Sequence, residues 1–379
     1  MGKKILIVIG DVGSGHRSAA IAITNQLKRT APNIEVKTVD IFTCQLKRKL
    51  EKTTIELIAR KFAQSHHNDD VYESVSKTRA FNFIYDISWH LLNTSWGNSF
   101  AENVMVNAYK HEFREVIEDY KPDVVISIHP AISMLVKHFK KDFNYKYFTI
   151  ITDLVTLQKG WIDKTADITF APSIEAISTL KAAGIRDQKI FGPTFPIEPK
   201  FEKVKDKDSQ LEELGLSKSK TTLLIAGGGL GIYSALRHVN QLLRTDKYQI
   251  IIITGKAKTL QIKLERRFKN KKDIKVLGYV NNMQDIMNAA DVVISKTGPG
   301  IIIELEVLNK KAVFTQYIGA QEKGNICYIS GNPMFRYIGN RKDLINKKIE
   351  ELMMQETTKK PKRNVKETEK IVKVIIDHM

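Results

Sequence analysis

The sequence predicts an α/β protein made of two Rossmann-like domains that face a central cleft. Short apolar runs rich in β-branched residues alternate with longer amphipathic stretches, which is typical of a parallel, doubly wound sheet. The alternation starts again after residue 220, and each half has a glycine-rich turn between a strand and a helix. A length of 379 residues also favours two domains.

The first half contains five predicted strands, and together they define an N-terminal domain of residues 1–194. The first strand, KKILIVIG, is followed at once by Asp11, so its apolar run is too short for the core of a signal peptide. A helix is predicted over residues 13–29. Residues 42–115 break the rhythm with helical, aromatic-rich sequence, and we interpret them as an insertion. The predicted strands are 3–10, 34–40, 123–130, 145–153 and 166–173.

The second half repeats this pattern in a predicted C-terminal domain of residues 221–379. Its predicted strands are 221–229, 248–255, 274–280, 291–295 and 311–316. Residues 195–220 are polar and contain proline, which favours a linker. The C-terminal helix is expected to pack back on the N-terminal domain.

Composition narrows the function classes. The net charge of +18 indicates an anionic partner: nucleic acid, a phosphate-bearing ligand or an anionic membrane. Cys44 and Cys327 are too few for a disulfide framework, which suits a reducing compartment. No run approaches 18 apolar residues, so we expect no membrane span. Asp206 and Asp208 lie in the predicted linker and are interpreted as solvated charge, so no metal site is predicted.

The sequence GDVGSGHRSAA at residues 10–20 is the first candidate site. Glycines between a strand and a helix allow a ligand to approach the backbone, and a helix N-terminus favours anions. Neither the Walker pattern nor the dinucleotide fingerprint is present. His16 is a candidate general base, because imidazole titrates near neutral pH. The alternative is a tight turn with a capping histidine.

Two further turns follow strands in the second half. GGGLG at 227–231 has the flexible backbone needed to wrap a diphosphate, or it is only a turn. SKTGPGIIIELEVL at 295–308 places Glu304 on a helix at the carboxyl end of a strand, where a carboxylate could bind ribose hydroxyls. The loop QEKGN at 321–325 has polar side chains suited to a hydroxyl-rich ligand.

Taken together, these segments resemble glycosyltransferase family 28. The likeness is closest to monogalactosyldiacylglycerol synthases and processive diacylglycerol glucosyltransferases. The motifs that carry the resemblance, in family order, are GSGHRSAA, PDVVISIHP, TDLVTLQKGW, APSIEA, AGGGLG, GYVNNM, SKTGPGIIIE and GAQEKGN.

The resemblance implies a GT-B fold and an inverting hexosyltransferase that needs no cofactor or essential metal. It implies UDP-glucose or UDP-galactose as donor and diacylglycerol or a related lipid as acceptor. His16 would be the acceptor-side base, and Asp153 a second catalytic candidate. The residues implied to bind the donor are Gly227, Gly228, Gly229, Tyr279, Val280, Lys296, Gly298, Gly300, Glu304, Gln321, Glu322 and Asn325.

A lipid acceptor would require the enzyme to dock on a bilayer. Several basic groups near an anionic surface hold a peripheral protein there, and interfacial tryptophans add anchors. We therefore expect an anionic membrane surface as partner and a peripheral location on its cytoplasmic side. Gly15, His129, Trp89 and Trp96 are assigned to this acceptor and membrane side.

Two other readings stay open, and a third, binding of nucleic acid, is not expected. A peptidoglycan-type N-acetylglucosaminyltransferase has the same implied fold. A non-catalytic nucleotide-sugar sensor, or a protein that only binds anionic surfaces, is the second, because Gln158 stands where the family commonly has a histidine. A nucleic-acid-binding protein is compatible with the charge, but no zinc pattern, helix-turn-helix or aromatic RNA-binding motif favours it.

Overall fold

The computed structural model describes residues 2–10, 14–44, 89–227, 232, 235–356 and 363–379. These residues fall into two compact units. The first contains the described residues up to Pro199 together with Val365–Met379, and the second contains the described residues of Lys200–Asn364. Most of the predicted insertion at 42–115, namely residues 45–88, lies outside the described residues.

The first unit is built on a six-stranded parallel sheet in the order β2-β1-β3-β4-β5-β6. Its strands are β1 (Lys4–Ile9), β2 (Glu35–Asp40), β3 (Val124–Ser127), β4 (Lys146–Ile150), β5 (Ile168–Phe170) and β6 (Ile190–Phe191). The central strand β1 pairs with both β2 and β3, so that Ile5 lies beside Val36 on one side and Val124 on the other. The five predicted strands are present, and the two-residue edge strand β6 was not predicted.

The second unit has its own six-stranded parallel sheet in the order β12-β11-β10-β7-β8-β9. Its strands are β7 (Thr221–Ala226), β8 (Tyr248–Ile253), β9 (Ile274–Leu277), β10 (Val292–Lys296), β11 (Lys311–Gln316) and β12 (Phe335–Tyr337). Counted from β7, this is the Rossmann order 3-2-1-4-5-6 read from the other edge.

Helices follow most strands and cover the sheets. In chain order, the α-helices of the described residues are α1 (Ser14–Thr30), α2 (Ile41–Cys44), α3 (Ser95–Tyr120), α4 (Pro130–Phe139), α5 (Ile174–Ala182), α6 (Lys207–Glu213), α7 (Val239–Leu242), α8 (Lys258–Phe268), α9 (Met283–Ala289), α10 (Pro299–Val307), α11 (Gly319–Lys323), α12 (Asn325–Ser330), α13 (Ile345–Met354) and α14 (Lys366–Asp377).

The segment 195–220, predicted as a linker, contains the boundary between the two units at Pro199 and Lys200. From Lys200 onward it belongs to the second unit. Its helix α6 is capped by Asp206, which accepts a hydrogen bond from the Ser209 amide at 3.2 Å, and it buries Leu211. Most of its apolar residues are buried but scattered among many charged ones, which is why its composition resembles that of a linker.

The last helix, α14, is part of the first unit. Its residues Ile371, Val372 and Ile375 are fully buried in the core that contains β1 and α1. At its start, Thr368 Oγ1 donates to the Ile197 carbonyl and accepts from the Ile197 amide, each at 2.7 Å. The helix therefore completes the core of a unit whose other residues lie far away in sequence.

Shortening a buried side chain of α14 should consequently destabilise the first unit. We expect Ile371→Ala to lower the free energy of unfolding by about 2–5 kcal/mol, because it leaves a cavity in a packed core. Urea denaturation measures this change. The matched control is Lys373→Ala on the exposed face of the same helix, for which we expect a change within about 0.5 kcal/mol. Equal losses in the two variants would contradict the packing described here.

Candidate functional site

The first cluster of candidate residues lies where the strand order reverses in the first sheet. From β1 the chain proceeds to β2 on one side of the sheet, whereas from β3 onward it proceeds toward the opposite edge. Ligands of open α/β sheets bind beyond the carboxyl ends of the two strands where the direction changes, here β1 and β3. His16 follows β1, and His129 follows β3. Their imidazole rings meet edge to face with 4.8 Å between centroids. The structure thus brings together two predicted residues that are 113 positions apart in the sequence.

His16 is held from β4 as well. Its Nδ1 lies 3.1 Å from Thr152 Oγ1, and Thr152 is buried just after that strand. The imidazole keeps some accessible surface, yet desolvation by the surrounding protein lowers the pKa of His16 to about 4, against an opposing contribution from the backbone of Ile128. The imidazole of His16 is therefore neutral at neutral pH, which is the protonation state that a general base needs. The lowered pKa also makes it a weaker base than an ordinary histidine.

His129 begins helix α4, and its side chain caps that helix. Its Nδ1 accepts a hydrogen bond from the Ala131 amide at 3.2 Å, while Pro130 occupies the first helical position. Since Nδ1 is the acceptor, the neutral ring carries its hydrogen on Nε2. The same ring that caps the helix makes the edge-to-face contact with His16.

Asp153 is buried and binds a tryptophan. Trp161 Nε1 donates to Asp153 Oδ2 at 2.7 Å, and the indole is completely buried with its ring centroid 6.3 Å from that of His16. Asp153 therefore orients the indole of Trp161, which lies beside His16. The sequence analysis included the TDLVTLQKGW motif but assigned no role to Thr152 or Trp161. These are the two residues of the motif that lie next to His16.

Gln158 precedes the 3₁₀ turn Lys159–Trp161 that carries this tryptophan. Its carbonyl accepts the Trp161 amide at 3.0 Å, and its side chain makes no capping hydrogen bond. The side chain is half-buried. The backbone at this position thus fixes Trp161 whatever side chain stands there.

An exposed apolar patch adjoins the same turn. Trp96 is 73% exposed and stacks on Phe100 at 5.8 Å, while Leu91 is 51% exposed. The Lys159 amide donates to Asn93 Oδ1 at 2.7 Å, which ties the start of α3 to the turn bearing Trp161. We call Leu91, Trp96 and Phe100 the aromatic patch.

The remaining predicted acceptor-side residues differ in exposure. Trp89 is half-buried against His90, with ring centroids 5.3 Å apart, and does not belong to the aromatic patch. Gly15 is exposed at the start of α1, and a Cβ added there would meet no atom within 4 Å.

The second cluster lies at the matching point of the second sheet, between β7 and β10. Gly227 follows β7 and is buried, and Gly298 follows β10. Gly228 and Gly229, also predicted to bind the donor, lie outside the described residues. Gly227 and Gly298 therefore occupy the position where Rossmann-type sheets bind phosphate groups.

Helix α10 presents its N-terminus at this edge. Gly298 is its N-cap, Pro299 opens it, and a Cβ added at Gly300 would meet no atom within 4 Å. The first amides of a helix lack internal partners and attract anions. The open space at Gly300 leaves room for such an anion. Glu304 is half-buried further along the same helix.

Glu306, two residues beyond Glu304, is buried and occupied. It accepts hydrogen bonds from the Tyr328 hydroxyl at 2.9 Å and from Asn332 Nδ2 at 3.1 Å, and Arg363 Nε lies 3.7 Å away. Burial also raises the pKa of the Tyr328 hydroxyl. This network fixes the back of α10, so of the two carboxylates only Glu304 keeps access to solvent.

Lys296 and Glu322 form an ion pair at the end of β10. Glu322 Oε1 binds Lys296 Nζ, while Oε2 accepts the Ile318 amide at 2.9 Å. Glu322 is 4% exposed, so the pair is largely desolvated. Each carboxylate oxygen of Glu322 therefore has a partner within the protein. One oxygen holds Lys296 beside Gly298, and the other fixes the turn at Gly319, where φ is +62°.

The other predicted donor residues occupy the neighbouring loops. Asn325 is fully buried and donates from Nδ2 to the Thr297 carbonyl at 2.8 Å, which links α12 to the end of β10. Gln321 is half-buried on α11. Tyr279 is 66% exposed just after β9, with Val280 half-buried beside it. All four lie beyond carboxyl ends of strands in the second sheet.

The described residues contain neither a cluster of metal-binding side chains nor a membrane-spanning helix. No group of three or more His, Cys, Asp or Glu side chains in these residues is arranged to hold a metal ion. Among the helices of the same residues, none combines the length and apolar character that crossing a bilayer requires.

Two family models match successive parts of the chain. Residues 16–197 match the model of monogalactosyldiacylglycerol (MGDG) synthase. Residues 222–378 match the model of the glycosyltransferase family 28 C-terminal domain. The two matches cover both units and bear out the predicted resemblance.

Curated plant proteins are similar over most of the chain. A probable monogalactosyldiacylglycerol synthase, chloroplastic, of Glycine max is 26% identical over 90% of this chain, and monogalactosyldiacylglycerol synthase 1, chloroplastic, of Arabidopsis thaliana is 27% identical over 90%. The chain spans 64% and 63% of the length of these two relatives.

Solved structures establish the fold class. The S. aureus MnaA–UDP structure aligns with a TM-score of 0.62 at 14% identity, covering 99% of this chain and 96% of that one. Acinetobacter baumannii MurG aligns with a TM-score of 0.57 at 12% identity, covering 99% of each chain. These likenesses concern the fold alone, and they confirm the predicted GT-B class.

The open space at Gly300 leads to a prediction that separates binding from folding. We expect Gly300→Ala to leave stability unchanged or to raise it by up to about 1 kcal/mol, because no protein atom opposes the methyl group and alanine favours a helix. Affinity for UDP should fall about tenfold or more, since the methyl group would overpack a bound anion. Calorimetric titration with UDP and thermal unfolding measure the two effects. Unchanged UDP affinity would rule out anion binding at this turn.

The desolvation of His16 also has a measurable consequence. Its folded-state pKa of about 4 lies below the ordinary 6.5, so the stability it contributes is complete above pH 6.5 and is lost as the pH falls toward 4. We expect NMR titration of the imidazole to give a midpoint near 4. His16→Gln should identify the resonance and reduce the acid-induced loss of stability. A midpoint near 6.5 would contradict the desolvated environment.

Proposed function

We propose that this chain, which belongs to glycosyltransferase family 28, is an inverting enzyme that transfers a hexose from a UDP-sugar to diacylglycerol or a related membrane lipid. The observation that carries the proposal is the pairing of two family matches, one over each unit, with a candidate site in each unit at the reversal of strand order. The names of the curated relatives contain both the monogalactosyl group and diacylglycerol.

In the proposed reaction, the acceptor hydroxyl oxygen attacks the anomeric carbon of the donor sugar. The bond between that carbon and the diphosphate oxygen breaks, UDP leaves, and the configuration at the anomeric carbon inverts. The hydroxyl proton passes to the neutral imidazole of His16. Thr152 holds that imidazole, and the Asp153–Trp161 pair forms a rigid wall beside it.

The second unit is proposed to bind the donor. Backbone amides at Gly298 and Gly300 and the dipole of α10 would stabilise the diphosphate charge. Lys296 would add a cation whose position is set by Glu322. Glu304 would accept ribose hydroxyls, and the backbone at Tyr279 and Val280 would hold the uracil. Gly227 and Asn325 would border the site, and Gln321 would contact the sugar or ribose.

The aromatic patch is proposed as an anchor to the membrane that contains the acceptor. Exposed, stacked aromatic rings with an aliphatic neighbour suit the bilayer interface. Because the patch is tied to the turn carrying Trp161, lipid bound there would lie near the His16 cluster. This arrangement supports a peripheral protein, which we propose for the cytoplasmic side of the membrane.

The proposal is tested by incubating the purified chain with detergent-dispersed diacylglycerol and UDP-galactose or UDP-glucose, followed by mass spectrometry of the lipids. UDP-galactose is the first donor to test because of the relatives' names. We expect a hexosyl-diacylglycerol with one donor, and activity that persists in EDTA. UDP release with UDP-N-acetylglucosamine and a polyprenyl-linked acceptor would favour the peptidoglycan-type alternative. UDP binding without any product would favour a sensor.

His16→Gln tests the assignment of the base. Glutamine keeps a hydrogen-bonding group opposite Thr152 but takes up no proton, so kcat should fall by about 10²–10⁴-fold while UDP affinity stays within about twofold of wild type. Calorimetry with UDP serves as the control for folding. Turnover close to wild type would remove His16 from the proton transfer.

A further inference from the structure

Helix α8 of the second unit has two opposite faces. Leu260, Leu264 and Phe268 recur at four-residue intervals and are buried against the sheet. On the far side, Lys258, Ile262, Arg266 and Lys269 recur along one line, since at 100° per residue they lie within about 80° of one another. We call these four residues the cationic stripe.

The three cations of the stripe are exposed to solvent. Among the described residues, no carboxylate forms an ion pair with Lys258, Arg266 or Lys269 at the distances that define the other salt bridges. The one acidic residue of α8, Glu265, lies on the same face, about 20° from Lys258 and about 40° from Lys269 at 100° per residue, and it accepts a hydrogen bond from the neutral Gln261 Nε2 at 2.8 Å. Asp273, just beyond the helix, is bound by Lys220 at 2.8 Å. Three cations and one carboxylate leave this face of α8 with an excess of positive charge.

The exposed Ile262 favours a lipid surface over a nucleic acid as the anionic partner of the stripe. It is 40% exposed in the middle of the stripe, with cations one turn before it and one turn after it. An apolar side chain gains nothing against a row of phosphates and water, but it gains burial when it enters the boundary between lipid headgroups and acyl chains. Cations on the same face would then lie level with the lipid phosphates. This pattern fits a lipid surface better than a nucleic acid.

We infer that the cationic stripe of α8 is a docking surface for anionic phospholipid headgroups, separate from the aromatic patch of the first unit. The choice of a membrane as partner rests on the proposed lipid acceptor, whereas the surface itself follows from α8. The stripe supplies the part of membrane binding that depends on anionic lipid. The uncharged aromatic patch supplies a part that does not.

The test is sedimentation of the full chain with phosphatidylcholine vesicles, with and without phosphatidylglycerol. We expect phosphatidylglycerol to strengthen binding, and the combined Lys258→Gln, Arg266→Gln and Lys269→Gln variant to lose about 100-fold of that gain, since each cation contributes roughly fivefold. Ile262→Ser should weaken binding severalfold and make the remainder more sensitive to salt.

The matched control removes equal charge from exposed lysines elsewhere on the second unit, through Lys203→Gln, Lys342→Gln and Lys347→Gln. Its binding should stay within about threefold of wild type. Equal losses in the two triple variants would mean that net charge alone acts, and unaltered binding of the stripe variant would also overturn the inference. Salt-sensitive binding of duplex DNA that only the stripe variant loses, without vesicle binding, would overturn it in favour of nucleic acid.

Hexosyl transfer to detergent-dispersed diacylglycerol keeps this test distinct from that of the proposed function. The stripe variant should keep wild-type turnover in detergent, because the stripe includes none of the residues assigned to the sites. A protein that binds anionic vesicles through the stripe but makes no glycolipid would leave the inference intact and refute the proposed function.

Discussion

The parallel pairing of the strands is the constraint on which both candidate sites depend. All strands of a sheet run in one direction, so their carboxyl ends and the loops that follow them gather along a single edge. The strand order reverses once in each sheet, and this reversal separates adjacent loops. His16 and His129 meet at one reversal, and Gly227 and Gly298 flank the other. Neighbours in space thus come from strands that are distant in sequence.

Desolvation controls the chemistry of the first cluster. Packing against Trp161 and His129 disfavours a charged imidazole, so His16 stays neutral at the expense of some basicity. The hydrogen bond with Thr152 fixes the ring, and the indole of Trp161 gives buried Asp153 a donor. Thr152 and Trp161 thus each give a polar group of this cluster a hydrogen-bond partner and restrict its position.

Charge is handled differently inside the second unit and on its surface. Buried ions are paired, as Lys296 is with Glu322 and Arg363 with Glu306, because an isolated charge is costly to remove from water. Exposed cations carry no such requirement. Helix α8 therefore keeps a row of exposed cations on the face opposite its buried leucines, where they contribute to the large net charge of the chain.

The sequence by itself determined the fold class, the order of nearly all strands, and the turns at which the candidate residues lie, because period-two and period-3.6 apolar patterns and glycine turns are local signals. It identified His16, Gly300 and Glu304 through a strand, a turn and a helix that are contiguous in the chain. Only the tertiary structure decided that Thr152 and Trp161 surround His16, that Glu322 is committed to Lys296, and that Thr368 at the start of α14 is bonded to the backbone of Ile197. It also distinguished exposed Trp96 from half-buried Trp89. These features depend on which distant segments become neighbours and on how much water they exclude, and neither quantity is encoded in local periodicity.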